Sequence, residues 1–136
     1  METRPADFSC QVLGPVVPQL RPRRVNKGNR PSMADVPKVA NYKAEVRLAM
    51  SMCRRWPEPY DGPVVVDISV FIMKPKSWPK HRVHADTKPD VDNYAKLICD
   101  CMEGIIYTND SRIVRLSISK YLDTNPRVEV RLWKLE

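Results

Sequence analysis

Long uncharged stretches are absent from this sequence. The longest run without Asp, Glu, Lys or Arg covers residues 8–20, which is shorter than the ~18 residues that a membrane span needs. The first residues also lack the apolar core of a secretory signal, so we expect a cytoplasmic protein with no membrane partner. The cysteines contain no Cys-x-x-Cys pair and are predicted to be free thiols in a reducing compartment: Cys10, Cys53, Cys99 and Cys101.

Aromatic residues are also scarce, at 7% of the chain. The 43% of hydrophobic residues in 136 positions nevertheless suffice for one core, and we expect a single domain over residues 1–136. Positive charge is abundant, with 23 Lys and Arg against 16 Asp and Glu and a net charge of +7. This excess predicts a polyanionic partner, of which nucleic acid is the commonest.

Thirteen prolines and four glycines divide the chain into short segments. Apolar periodicity predicts helices over residues 37–56 and 90–104. The predicted strands are residues 8–17, 64–73, 105–107, 112–122 and 128–135. We expect the strand over 64–73 to be central, because it is almost wholly apolar, and the last two strands to form a hairpin. This order predicts an α+β fold, a mixed β-sheet packed against two main helices.

Two basic segments lie in the predicted loops. The basic arm, residues 18–32, carries Arg21, Arg23, Arg24, Lys27 and Arg30. The basic loop, residues 74–88, carries Lys76, Lys80, Arg82 and Lys88. We expect both to contact DNA phosphates without reading sequence; the alternative is an ordinary solvated surface. Trp78 in the basic loop either stacks on an exposed base or shields the sheet edge.

A group of carboxylates accompanies the second predicted helix. Asp90 and Asp92 open that helix, Lys96 follows one turn later, and Asp110 comes from a turn beyond it. Carboxylates that converge repel one another unless a cation lies among them, and oxygen ligands favour Mg²⁺ or Mn²⁺. Such an ion supports phosphodiester hydrolysis, in which a lysine stabilises the developing charge.

Each of these residues also has an ordinary structural interpretation. Asp90 suits a helix N-cap, Asp92 suits the positive helix terminus and can pair with Lys96, and Asp110 suits a turn. The basic segments favour the metal-site interpretation, because acids alone would repel DNA. A zinc site is not expected, since the His and Cys spacings are not those of zinc fingers.

The segment from Lys88 to Val114 resembles the signature of the RusA family. It reads Lys88-Pro89-Asp90-Val91-Asp92-Asn93-x-x-Lys96-x-x-x-Asp100-x-x-x-Gly104, followed by Asn109-Asp110-Ser111-Arg112-Ile113. The family pattern is K-P-D-x-D-N-x-x-K, then D-x-x-x-G, then D-D-S-x-V/I. The proline- and arginine-rich residues 14–23 are similar to the family's opening. Members of this family are Holliday-junction endodeoxyribonucleases common in phages and prophages.

The resemblance implies a homodimer that cuts four-way DNA junctions by paired symmetric nicks in a bacterial host cytoplasm. It implies that Asp90, Asp92 and Asp110 hold the Mg²⁺ or Mn²⁺ ion and that Lys96 is the catalytic lysine. Asn109 stands where the family usually has an acid, so the site carries one negative charge fewer than the family pattern. Asp100 and Asn93 are expected to support Lys96 or the metal.

Two alternatives to a junction resolvase stay open from the sequence. One is a broader nuclease that cuts forks or flaps during phage replication or packaging. The other is a junction-binding protein whose catalytic site is inactive, which the replacement at Asn109 makes conceivable.

Overall fold

The computed structural model describes residues 3–19 and 36–135. Its strands are β1 (Phe8–Leu13), β2 (Val64–Ile72), β3 (Ile113–Leu122) and β4 (Arg127–Lys134), and its α-helices are α1 (Pro37–Cys53) and α2 (Val91–Met102). A 3₁₀ turn, Asp110–Arg112, precedes β3. The predicted DNA contacts of the basic arm fall outside the described residues: Arg21, Arg23, Arg24, Lys27 and Arg30.

The four strands form one mixed sheet in the order β1-β4-β2-β3. β2 pairs antiparallel with β4 and parallel with β3, and β1 pairs antiparallel with β4. The predicted α+β class, a mixed sheet with two helices, is therefore confirmed. The predicted terminal hairpin is wrong, because β2 lies between β3 and β4. The most apolar strand takes the central position, where neighbours on both edges remove it from water.

The core lies between one face of the sheet and the two helices. α1 buries residues at helical spacing, namely Val39, Tyr42, Val46 and Met50, as its apolar stripe predicts. α2 buries a wider face that includes Tyr94, Leu97, Ile98 and Met102. Pro37 begins α1 as predicted, but α1 ends at Cys53 rather than at residue 56. Trp56 has left the helix, and its indole Nε1 donates to the Ile106 carbonyl at 2.9 Å.

The chain turns back sharply after α2. The strand predicted for residues 105–107 is wrong, because these residues form a turn in which Tyr107 makes only isolated bridges. Gly104 adopts a φ of 81°, the left-handed conformation that commonly ends a helix. The backbone amides of Ile105 and Ile106 donate to the Met102 carbonyl, and the Tyr107 hydroxyl donates to the Cys99 carbonyl at 2.6 Å. The two amides satisfy the Met102 carbonyl, which the helix end leaves without a helical partner, and the Tyr107 hydroxyl joins the turn to the last turn of α2.

Neither described α-helix is both long and apolar enough to cross a membrane.

Candidate metal and nucleic-acid site

A groove runs between α2 and β3. Asp92, Lys96 and Asp100 line it from one face of α2, at the four-residue spacing that places side chains above one another. Asp110 lines it from the turn before β3, and Val114 and Leu116 are among the residues that line it from the strand. The groove therefore contains four of the charged residues that the sequence analysis singled out. Asp90 does not line it.

The acids of this region form two groups at opposite ends of α2. Carboxylate oxygens of Asp100, Glu103 and Asp110 all lie within 4.8 Å of one another. Glu103 also accepts a hydrogen bond from the backbone amide of Asp110 at 3.3 Å. Eight residues separate Asp92 from Asp100, which corresponds to about 12 Å along the helix axis. Asp90 and Asp92 thus mark the beginning of α2, and Asp110 lies beside its C-terminal end.

The group at the C-terminal end fits a hard divalent cation. All its donors are carboxylate oxygens, the ligand type that Mg²⁺ and Mn²⁺ prefer. Oxygens about 2.1 Å from an ion lie at most about 4.2 Å from one another, so the spacing in this group needs only a small side-chain adjustment. Asp100 and Glu103 are half-buried and Asp110 is exposed, so an ion held there faces the solvent and a substrate.

Lys96 lies over the middle of the groove. Its Nζ is 3.3 Å from Oδ1 of Asp100, one helical turn further on, and 62% of the Lys96 side chain is exposed. The ion pair directs the ammonium along the groove while leaving it accessible. Lys96 is therefore placed to meet a negatively charged group that enters the groove.

The turn that carries Asp110 is fixed by polar contacts. Asn109 accepts a hydrogen bond from the Ser111 amide at 2.8 Å and so caps the 3₁₀ turn. Asp61 accepts hydrogen bonds from the Thr108 hydroxyl at 2.7 Å and from Nε of Arg112 at 3.1 Å. These hydrogen bonds lower the pKa of Asp61 below its usual value. The side chain of Asn109 therefore has a structural role, which is to cap the turn that carries Asp110.

Cys99 is a buried thiol among the residues that line the groove. Burial raises the pKa of Cys99 to about 11, which favours the protonated thiol at neutral pH.

The beginning of α2 is held by a residue that sequence analysis missed. Asp90 occupies the N-cap position, but its side chain makes no capping hydrogen bond. Nζ of Lys120, on β3, donates to the carbonyls of Thr87 at 2.7 Å and Pro89 at 2.9 Å. No local pattern predicts these contacts, because more than thirty residues separate the partners. Glu103 was also missed, although its position three residues after Asp100 places both on neighbouring turns.

The basic loop between β2 and α2 contains no helix or strand. Lys76, Lys80 and Lys88 are exposed in it, as phosphate contacts must be. Arg82 pairs with Asp86 at 3.0 Å, and its guanidinium lies 3.8 Å from the centre of the Trp78 ring. One face of that ring is thus covered by Arg82, which leaves at most the other face for a base.

An acidic groove on a strongly basic protein is typical of metal-dependent enzymes that act on nucleic acid. Residues 14–133 match the family described as Endodeoxyribonuclease RusA, and the chain therefore belongs to the RusA endodeoxyribonuclease family. It is also 36% identical over 132 residues to a protein of Bacillus subtilis (strain 168) described as uncharacterized protein YqaN. That match covers 89% of this chain and 92% of the relative. The resemblance that the sequence analysis drew from the segment Lys88 to Val114 is confirmed.

Proposed function

We propose that this protein is a Mg²⁺- or Mn²⁺-dependent endonuclease that resolves Holliday junctions by paired symmetric nicks, in DNA recombination and repair. The observation that carries the proposal is the groove between α2 and β3, where acids and Lys96 line one surface in a chain of the RusA family. The residues proposed to act are Asp90, Asp92 and Asp110 as metal ligands and Lys96 as the catalytic lysine.

A homodimer accounts for the separation between the acids. About 12 Å along α2 separates Asp92 from the end where Asp110 lies, which is too far for one ion to touch both within a single protomer. β3 is an edge strand of the described sheet, and Val114 and Leu116 on it are 61% and 43% exposed. Antiparallel pairing of two such edges would put the Asp110 end of one groove beside the Asp92 end of the other. Each ion would then be held by both chains, and the two-fold axis would give two equal sites.

Each charged group of the site has a proposed role in the reaction. Asp90, Asp92 and Asp110 would hold a Mg²⁺ or Mn²⁺ ion, which would make a water molecule more acidic and offset charge on the phosphoryl oxygen. Asp100 and Glu103 lie beside Asp110 and add negative charge where Asn109 supplies none. The Lys96 ammonium stabilises the charge that develops on the phosphate. The products are a 5′-phosphate and a 3′-hydroxyl.

Binding to DNA is proposed to rest on the backbone phosphates. The exposed lysines of the basic loop supply positive charge in the segment that leads into α2, and the sequence of the basic arm adds five more positive residues. Contacts of this kind fix the position of the DNA without reading its bases. Selection of a four-way junction then depends on the spacing of two such surfaces in the dimer.

Cleavage of an immobile four-way junction tests the proposal. The junction is incubated with Mg²⁺ or Mn²⁺ beside a linear duplex and a Y-fork. We expect paired symmetric nicks in the junction alone, lost in Asp92→Asn and Asp110→Asn with binding retained. Glu129→Gln is the control, because Glu129 alternates with the core residues of β4 and lies on the opposite face of the sheet. Cutting of the Y-fork at an equal rate would indicate a broader branched-DNA nuclease.

Mixing the two inactive variants tests the shared site. A heterodimer of Asp92→Asn and Asp110→Asn chains has one site with both substitutions and one with neither, if each site uses both chains. We therefore expect the mixture to regain single nicks that neither variant makes alone. A mixture that stays inactive would show that each site uses the acids of one chain.

A junction binder without activity is the second candidate, and Asn109 is the observation that favours it. Tight junction binding by the wild type, with no cleavage under either metal, would establish it. Asn109→Asp would then be expected to restore nicking, if the missing charge is the cause.

A further inference from the structure

Lys120 connects the sheet to the segment that leads into α2. Its register partner on β2 is Val70, a core residue, so Lys120 lies on the helix-facing side of the sheet. Its Nζ donates to the carbonyl of Thr87 at 2.7 Å and to the carbonyl of Pro89 at 2.9 Å. The second of these carbonyls belongs to the residue immediately before Asp90.

The beginning of α2 needs such a contact. The residues between β2 and α2 form no helix or strand, and the side chain of Asp90 does not cap the helix. Without a cap, the first turn of a helix is weakly defined. The backbone amide of Gln19 donates to the Asn93 carbonyl at 3.0 Å and holds the same turn from beyond Asp92. Asp90 and Asp92 therefore lie between two backbone carbonyls, those of Pro89 and Asn93, that are held by hydrogen bonds.

β3 is a suitable base for the contact. Its register with β2 is continuous from Val65 to Ile72, the partner of Leu122. The position of the Lys120 backbone is therefore set by the sheet and not by the loop. Hydrogen bonds from an ammonium group are shorter and stronger than neutral ones, and two of them fix both the position and the direction of the segment.

We infer that Lys120 is a positioning residue for Asp90 and Asp92: by binding the carbonyls of Thr87 and Pro89 it fixes where the chain begins α2. The inference rests on the proposed function, in which these two acids are metal ligands.

Substitution of Lys120 with Met tests the inference, since Met keeps an apolar stem and removes the donors. We expect hydrogen exchange, measured by mass spectrometry, to rise in peptides spanning residues 87–93 and to stay unchanged in peptides from β4. We also expect the Mn²⁺ concentration for half-maximal junction cleavage to rise about 10-fold, the lower end of what loss of a residue supporting metal ligands costs. Junction binding without metal stays within about twofold, because only one of the proposed DNA contacts, Lys88, lies in the segment that Lys120 holds. Lys120→Arg keeps the charge and the donors. We therefore expect both the hydrogen exchange and the Mn²⁺ requirement of this variant to lie close to the wild-type values.

Lys134→Met is the matched control. Lys134 is another half-buried lysine of the sheet, but its Nζ lies 3.9 Å from the Trp56 ring and it pairs in register with the beginning of β2, away from Lys120. The inference is overturned if Lys120→Met leaves exchange in residues 87–93 unchanged, or if Lys134→Met raises the Mn²⁺ requirement equally. If the wild type cuts no DNA, the proposed function fails, and the exchange data together with direct Mn²⁺ binding decide the role of Lys120 alone. If Lys120→Met does not fold, Lys120→Gln takes its place in the same measurements.

Discussion

Replacing Tyr107 with Phe removes one oxygen atom from the turn between α2 and Asp110. Tyr107 is completely buried, and its hydroxyl donates to the Cys99 carbonyl at 2.6 Å. Burial raises the pKa of Tyr107, so the hydroxyl remains a neutral donor throughout the physiological range. Without it, a carbonyl in the last turn of α2 loses a partner in the protein interior.

The expected loss follows from that buried group. Loss of one hydrogen bond costs about 0.5–1.5 kcal/mol of the free energy of unfolding, because α2 runs to Met102 and the Cys99 carbonyl keeps its bond within the helix. An unfolding entropy of about 2.1 cal/mol/K per residue gives about 0.29 kcal/mol/K for this chain. A central loss of about 1 kcal/mol therefore corresponds to a Tm lower by about 3.5 °C.

Urea unfolding and thermal unfolding of the purified variant measure this loss. Tyr121→Phe is the matched control, because the Tyr121 side chain is 47% exposed, and its change is expected to stay within about 0.5 kcal/mol. A Tyr107→Phe variant as stable as the control would refute the argument that this hydroxyl completes the end of α2.

Three further predictions concern acid stability, thiol reactivity and salt. The pKa of Asp61 is lowered by hydrogen bonds from Thr108 and Arg112. The contribution of Asp61 to stability is therefore fully present above the unfolded pKa near 3.8 and is lost as the pH falls through the lower folded value. We expect Asp61→Asn to flatten this part of a plot of the free energy of unfolding, measured with urea, against pH. Cys99, whose pKa is raised by burial to about 11, resists iodoacetamide at pH 8 until the protein is unfolded, as counted by mass spectrometry. Junction affinity falls as a power of the salt concentration, and Lys76→Ala lowers the slope of that log–log plot by about one if it contacts a phosphate.

The helices follow from local sequence. Pro37 fits the first helical position, and the apolar stripe that follows it is buried along α1. The stripe of α2 and the glycine that follows its end, Gly104, are equally local, because helical hydrogen bonds join residues only four positions apart. The expected helix end at Trp56 fails for a tertiary reason, since the indole bonds to the Ile106 carbonyl fifty residues away.

Strand pairing did not follow from local sequence. β3 and β4 are joined by a short turn that is typical of a hairpin, yet each pairs with β2. The alternation of apolar and polar residues predicts that a segment is a strand but does not specify its neighbour. The neighbour is decided by the fold as a whole, because the almost wholly buried β2 occupies an interior position, where its backbone groups are paired on both edges.

For the candidate site, local sequence was enough to predict the chemistry of one helix face. The four-residue spacing and the family pattern can both be read from the sequence. In a helix, this spacing places Asp92, Lys96 and Asp100 along one line. Packing of the whole chain is what brings Asp110 to Asp100 and Glu103, and what places Lys120 at the beginning of α2. These contacts join residues on different elements, so their existence depends on how the sheet and the helices pack and not on any periodicity in the sequence.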